Sequence, residues 1–178
     1  MNWRKFWIPA LIMLILVLSP WVIKYYMSNL AMTSIHKATE DGDLDTVEEL
    51  ILDGQNVNTP GALELTPLHI AAGQGDADMV SLLLDYGAKP NAQGRFGHTP
   101  LHAAARQGDL EVLHMLLEAG ALVIIPANGE TALDYAEQEG HEEAAALLLE
   151  YFHQQAPGYP VDGEPVPPAA GENNKSIR

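Results

Sequence analysis

The chain has 178 residues, enough for one domain, and no cysteine, which excludes disulfides, thiol catalysis and thiolate zinc sites. Its formal charge is −15, and 21 of its 24 acidic residues fall between Thr33 and Phe152, where only Lys37, Lys89, Arg95 and Arg106 oppose them. That local charge of −17 repels phosphate backbones, so nucleic acid is not an expected partner, whereas a basic protein would be attracted; acidity of this kind also serves solubility alone.

After a short N-terminal segment, residues 1–5, comes Phe6–Ile23, 18 residues without a charge. As a helix they span roughly 27 Å, about one hydrocarbon core. Trp3, Trp7, Trp21, Tyr25 and Tyr26 gather at its two ends, where amphipathic rings prefer the membrane interface. Pro9 and Pro20 also lie near the ends, where a helix tolerates them. The pattern predicts one transmembrane signal-anchor helix over 6–23 and a juxtamembrane linker over 24–32. A cleaved signal peptide would need a small-x-small site, and Asn29-Leu30-Ala31 fits that poorly. Arg4, Lys5 and the terminal amine outweigh Lys24, so the positive-inside rule predicts a single-pass protein whose remainder is periplasmic or otherwise extracytoplasmic.

From Thr33 the chain repeats itself. Thr33-Ser34-Ile35-His36-Lys37-Ala38 returns as Thr66-Pro67-Leu68-His69-Ile70-Ala71, then as Thr99-Pro100-Leu101-His102-Ala103-Ala104, and finally as Thr131-Ala132-Leu133-Asp134-Tyr135-Ala136. Each Thr-Pro pair reads as a helix start, because the hydroxyl caps an orphan N–H and proline at the first helical position forfeits no bond. A Gly and an acidic residue follow (Gly42-Asp43, Gly75-Asp76, Gly108-Asp109), then a second apolar-periodic run and a closing Gly54, Gly87 or Gly120.

This pattern resembles the ankyrin repeat, whose signature is T-P-L-H-x-A. The resemblance covers residues 33–152 in four units, 33–65, 66–98, 99–130 and 131–152. It implies an all-α repeat solenoid, an ankyrin stack of helix-turn-helix units joined by β-hairpin-like fingers. It also implies that a protein partner docks on the finger tips and on the exposed edge of the first helices. Carried onto this sequence, those positions are Leu63, Leu65, Arg95, Phe96, His98 and Glu130 on the fingers, and Gln74, Arg106, Gln107 and Gln138 on the helices. In the family the signature histidine braces the finger–helix junction, so His36, His69 and His102 read as structural rather than as a metal or acid–base row.

Three departures stand out. Glu64 occupies the place of the usual finger glycine, Leu122–Pro126 is unusually apolar with Ile124 at the usual Asn position, and the fourth repeat is polar enough to serve as a terminal cap. The Leu122–Pro126 stretch suits either packing on the adjacent finger or a partner contact. Residues 153–178, with Pro157, Pro160, Pro165, Pro167 and Pro168, read as a disordered Pro-rich tail.

No catalytic pattern emerges: His141-Glu142-Glu143 is not H-E-x-x-H, and there is no P-loop, nucleophile elbow or EF-hand loop. No catalytic residue, cofactor or metal is expected. The expected function is that of a membrane-anchored scaffold that localises, regulates or inhibits a protein partner. The alternatives are a cytoplasm-facing regulatory adaptor and a metal-binding stress-protection factor.

Overall fold

The structure, a computed structural model, describes residues 35–156. The expected membrane helix at 6–23, its flanks at 1–5 and 24–32, and the chain beyond 156 lie outside the described residues. Among the described residues no helix is long and apolar enough to cross a membrane.

Among the described residues eight α-helices follow one another: α1 (35–40), α2 (Leu44–Leu52), α3 (Pro67–Gln74), α4 (Ala77–Asp85), α5 (Pro100–Gln107), α6 (Leu110–Glu118), α7 (Ala132–Glu139) and α8 (Glu142–Gln155). The short inner helices α3, α5 and α7 start on Thr66, Thr99 and Thr131 in reciprocal caps with the residue three positions on. They stop at Gly75, Gly108 and Gly140, whose φ of 72°, 76° and 77° is the left-handed conformation glycine adopts without steric cost. The outer helices begin on aspartates: Asp43, Asp76 and Asp109 accept the N–H of Thr46, Met79 and Val112 at 3.0–3.1 Å.

The helices form two layers. In the inner layer α3 packs on α5 and α5 on α7; in the outer layer α2, α4, α6 and α8 follow in the same order. Buried alanines, among them Ala71, Ala72, Ala104, Ala105, Ala132 and Ala136, let the inner helices approach closely. Leu68, Leu101, Met79, Leu83, Leu113, Leu116 and Leu148 fill the space between the layers.

The repeats are tied by side chains that reach one repeat ahead. The ring Nε2 of His36, His69 and His102 lies 3.2, 3.0 and 3.3 Å from the carbonyl oxygens of Leu65, His98 and Glu130. The Asn58 and Asn91 side-chain amides donate to Gly87 O and Gly120 O, and accept from the N–H of Lys89 and Leu122, at 2.8–3.0 Å. Ile124 holds the corresponding place in the third finger, and there the tie runs backwards. Gln155 accepts the Val123 N–H at 2.9 Å and donates to Ala121 O at 3.0 Å. α8 thus continues three residues past the expected domain edge at 152, to Gln155.

The fingers are closed loops rather than strands: among the described residues there is no strand, and a single antiparallel bridge joins Ala127 to Glu130. Gly61 N–H donates to Leu65 O and Gly94 N–H to His98 O, both at 2.8 Å, while Ala127 N–H donates to Glu130 O at 2.7 Å. Inside each closure two successive residues take positive φ: Leu63 and Glu64 (57° and 61°), Phe96 and Gly97 (66° and 85°), Asn128 and Gly129 (54° and 91°). Asn-Gly suits such a turn; Leu-Glu does not.

Glu64→Gly therefore raises stability, by about 1 kcal/mol, in a urea titration followed by circular dichroism. Gly97→Ala lowers it by about 1–3 kcal/mol, because the new Cβ adds left-handed strain and stands 3.0 Å from Pro126 O.

A candidate partner-binding groove

The fingers and the inner helices enclose a groove about 370 Å³ in volume. Its rim is made by Leu63 and Leu65 of the first finger and by Arg95, Phe96 and His98 of the second. Its floor is made by Ile70 and Gly73 of α3, Ala103 and Arg106 of α5, and Tyr135 of α7, over the deeper His69, Thr99 and His102.

The floor is rigid because its histidines have fixed roles. Thr66 N–H donates to His69 Nδ1 at 3.1 Å and Thr99 N–H to His102 Nδ1 at 3.2 Å; the two hydroxyls lie 2.9 and 2.8 Å from the same nitrogens. A backbone N–H can only donate, so each Nδ1 accepts. Each Nε2 then carries the proton and donates to a carbonyl of the next finger. Both rings are neutral. Burial holds His69 below the usual imidazole pKa and pushes His102 down to about 4, although the carbonyl acceptors pull the other way.

His98, His102 and Tyr135 form an edge-to-face triad with ring centroids 5.5–5.8 Å apart. Burial, and after it the nearby Glu130, raises the Tyr135 hydroxyl above its ordinary value.

The rim combines two unusual features. Leu63 and Phe96 are 56% and 68% exposed, and both sit in the left-handed region, an outlier for a bulky side chain. Phe96 stands clear of its own finger, its backbone braced by Asn128 N–H donating to Phe96 O at 3.2 Å.

Six of the ten expected binding residues meet in this groove: Leu63, Leu65, Arg95, Phe96, His98 and Arg106. Four do not line it. Gln74 donates to Glu40 O at 2.9 Å and so ties two repeats. Gln138 and Glu130 bond each other at 2.8 Å, and Gln107 is exposed beside the groove. Ile70, Ala103 and Tyr135 were not among the expected residues, yet they share one register: each is the variable x of the T-P-L-H-x-A signature. The residues three on from Ile70 and Ala103, Gly73 and Arg106, lie on the same helix faces. The apolar third finger divides its side chains, burying Val123 and Ala127 while leaving Leu122 and Ile124 exposed, and it forms no part of this groove.

Two-layered helical units bridged by closed fingers, with a groove on the finger side, define a helical repeat solenoid. A family model described as ankyrin repeats (3 copies) matches residues 35–126 and 93–157, so the chain belongs to the ankyrin-repeat family. Proteins of this kind are typically non-enzymatic protein-binding scaffolds. Among curated proteins, none matches the chain.

The buried histidines make stability depend on pH. The pKa of His102 is depressed in the folded state, so the unfolded chain binds its proton first as pH falls. The stability this residue contributes is complete above about pH 6.5 and is lost as pH drops toward 4, a difference of roughly 3 kcal/mol. His69 acts in the same direction. Titrating carboxylates relieve self-repulsion over part of this window, so the informative quantity is the gap between native protein and a His102→Gln variant. Urea titrations should show that gap widest at pH 7.5 and closing toward pH 4; a constant gap would contradict the assignment.

Proposed function

We propose that this chain is a membrane-anchored scaffold whose groove holds a segment of a protein partner, and which thereby localises, regulates or inhibits that partner. One observation carries the reading: two large apolar side chains stand exposed on adjacent fingers, on backbone held in a strained conformation. Strain of this sort costs of order 1–3 kcal/mol per residue, and exposure of an apolar ring adds to it. Folding alone gives no return for either cost. Binding does, because a partner that covers Leu63 and Phe96 recovers their apolar area, and the braced loops present them with little entropy left to lose.

Membrane attachment rests on the uncharged Phe6–Ile23 segment with its flanking aromatics, and the extracytoplasmic placement on Arg4 and Lys5 preceding it. Tethering would raise the local concentration of the scaffold near a partner of the same compartment. Among the described residues no three His, Asp or Glu side chains converge to hold an ion.

Cross-linking and pull-down of the full chain should recover a protein that a Leu63→Ala/Phe96→Ala version fails to recover, with at least a tenfold loss. Equal recovery by both would move the interface off the groove. A topology reporter fused after Gln155, where α8 ends, should report the extracytoplasmic side; a cytoplasmic signal would replace this reading with that of a cytoplasm-facing adaptor.

A further inference from the structure

The charge of the groove is opposite to that of the domain around it. Of the residues lining it, none is Asp or Glu, and two are arginines, Arg95 and Arg106. These are half of the four bases in a region with 21 acids. Of the other two, Lys37 is engaged with Asp41 and Lys89 lies outside the groove. Among the described residues Lys37–Asp41 is the only ion pair, so neither groove guanidinium is neutralised by another described residue. Both are exposed. The acids nearest in sequence to the lining residues, Glu64, Asp109 and Asp134, are not part of the lining; Asp109 is engaged by Val112 N–H and Asp134 by Thr131, and Glu130 is engaged by Gln138.

We propose that the groove selects an acidic segment of a partner protein: an extended stretch in which an Asp or Glu side chain stands beside a large apolar residue. The carboxylate is received by Arg95 and Arg106, and the apolar residue by Leu63, Phe96 and Tyr135. This rests on the groove being the binding site and specifies what it accepts. Arginine's planar fork gives paired, charge-assisted hydrogen bonds to a carboxylate, and apolar walls on either side strengthen them by excluding water. The net charge of the domain does not override this. At physiological ionic strength the screening length is about 8 Å, so acids on the outer helices act weakly at the groove, whereas a guanidinium in contact with a carboxylate is hardly screened. The surrounding acidity instead rejects the same segment everywhere else, so the docking position is unique.

The test is selection from a random peptide display library on the full-length protein in detergent, followed by affinity measurement on the recovered peptides. Asp or Glu beside Leu, Phe or Tyr should be enriched. Arg95→Ala/Arg106→Ala should weaken those peptides by on the order of tenfold per arginine, and Arg95→Glu/Arg106→Glu should shift enrichment to Lys and Arg. Circular dichroism should show all variants folded, since both side chains are exposed and unpaired. Peptides that need Leu63 and Phe96 but carry no acid, or that bind the charge-reversed protein equally well, would overturn this inference and leave the groove as a binding site. Peptides indifferent to Leu63 and Phe96 would overturn both. A protein cut after Gln155 that binds the acidic peptides more than tenfold tighter would make the chain's own Val161-Asp162-Gly163-Glu164 stretch the occupant, against a partner segment.

Discussion

A buried imidazole that crosses from one repeat to the backbone of the next, as His69 does to His98 O and His102 to Glu130 O, is the contact on which the rest of this structure depends. No single repeat can bury its own apolar face, so the stack exists only through its interfaces. At these two interfaces the histidine does three things. It completes the cap of its own helix through Nδ1, holds the following finger through Nε2, and fills the inner layer with a ring that is nearly inaccessible to solvent. The first requires the neutral ring, because protonation would set a second donor at Nδ1 against the Thr N–H. Burial likewise disfavours the charged ring and depresses the pKa, against the pull of the carbonyl that accepts from Nε2.

The stack ends by the same logic. In the fourth repeat Asp134 replaces the histidine and keeps only the local half of its work: its carboxylate accepts Thr131 N–H at 2.6 Å while Asp134 N–H reaches the Thr131 hydroxyl at 3.4 Å. In the third finger Ile124 replaces the forward-reaching asparagine. The lengthened α8 reaches back through Gln155 and closes the gap. His141 takes the place of the capping aspartate and lies 3.1 Å from Arg106 O instead of capping its own helix. The forward ties therefore end in the last repeat, where side chains turn inward or back.

Much of this was legible in the sequence. The period near 33, the Thr-Pro starts and the glycine stops follow from residue type and spacing, and the bracing role of the histidines from the family resemblance, because they depend on contacts that recur from one repeat to the next. Six of ten expected binding residues converge for the same reason. What the sequence did not reveal depends on how neighbouring repeats face each other. Gln74 ties to Glu40 O across two repeats, and Tyr135, at the variable position of the polar fourth repeat, lies under the groove. The extra turn of α8 was hidden because Gln155 is an unremarkable polar residue until a finger with exposed backbone groups is placed beside it. The N-terminal apolar segment and the Pro-rich tail remain expectations from composition.

Local preference and global fold agree almost everywhere along the described residues, which is what a single well-defined native state demands. They disagree at Leu63, Glu64 and Phe96, where residues ill-suited to positive φ occupy positions that Asn and Gly fill in the third finger as Asn128-Gly129. The third finger shows that the fold accepts the relaxed solution, so stacking does not require the strained one. At two of the three strained positions the residue that stands there projects an apolar side chain over the groove, and the only charges lining that groove are positive. A scaffold stabilised by its repeats can carry such local costs without losing its fold. The sites where it does so are where selection for something other than folding is most visible.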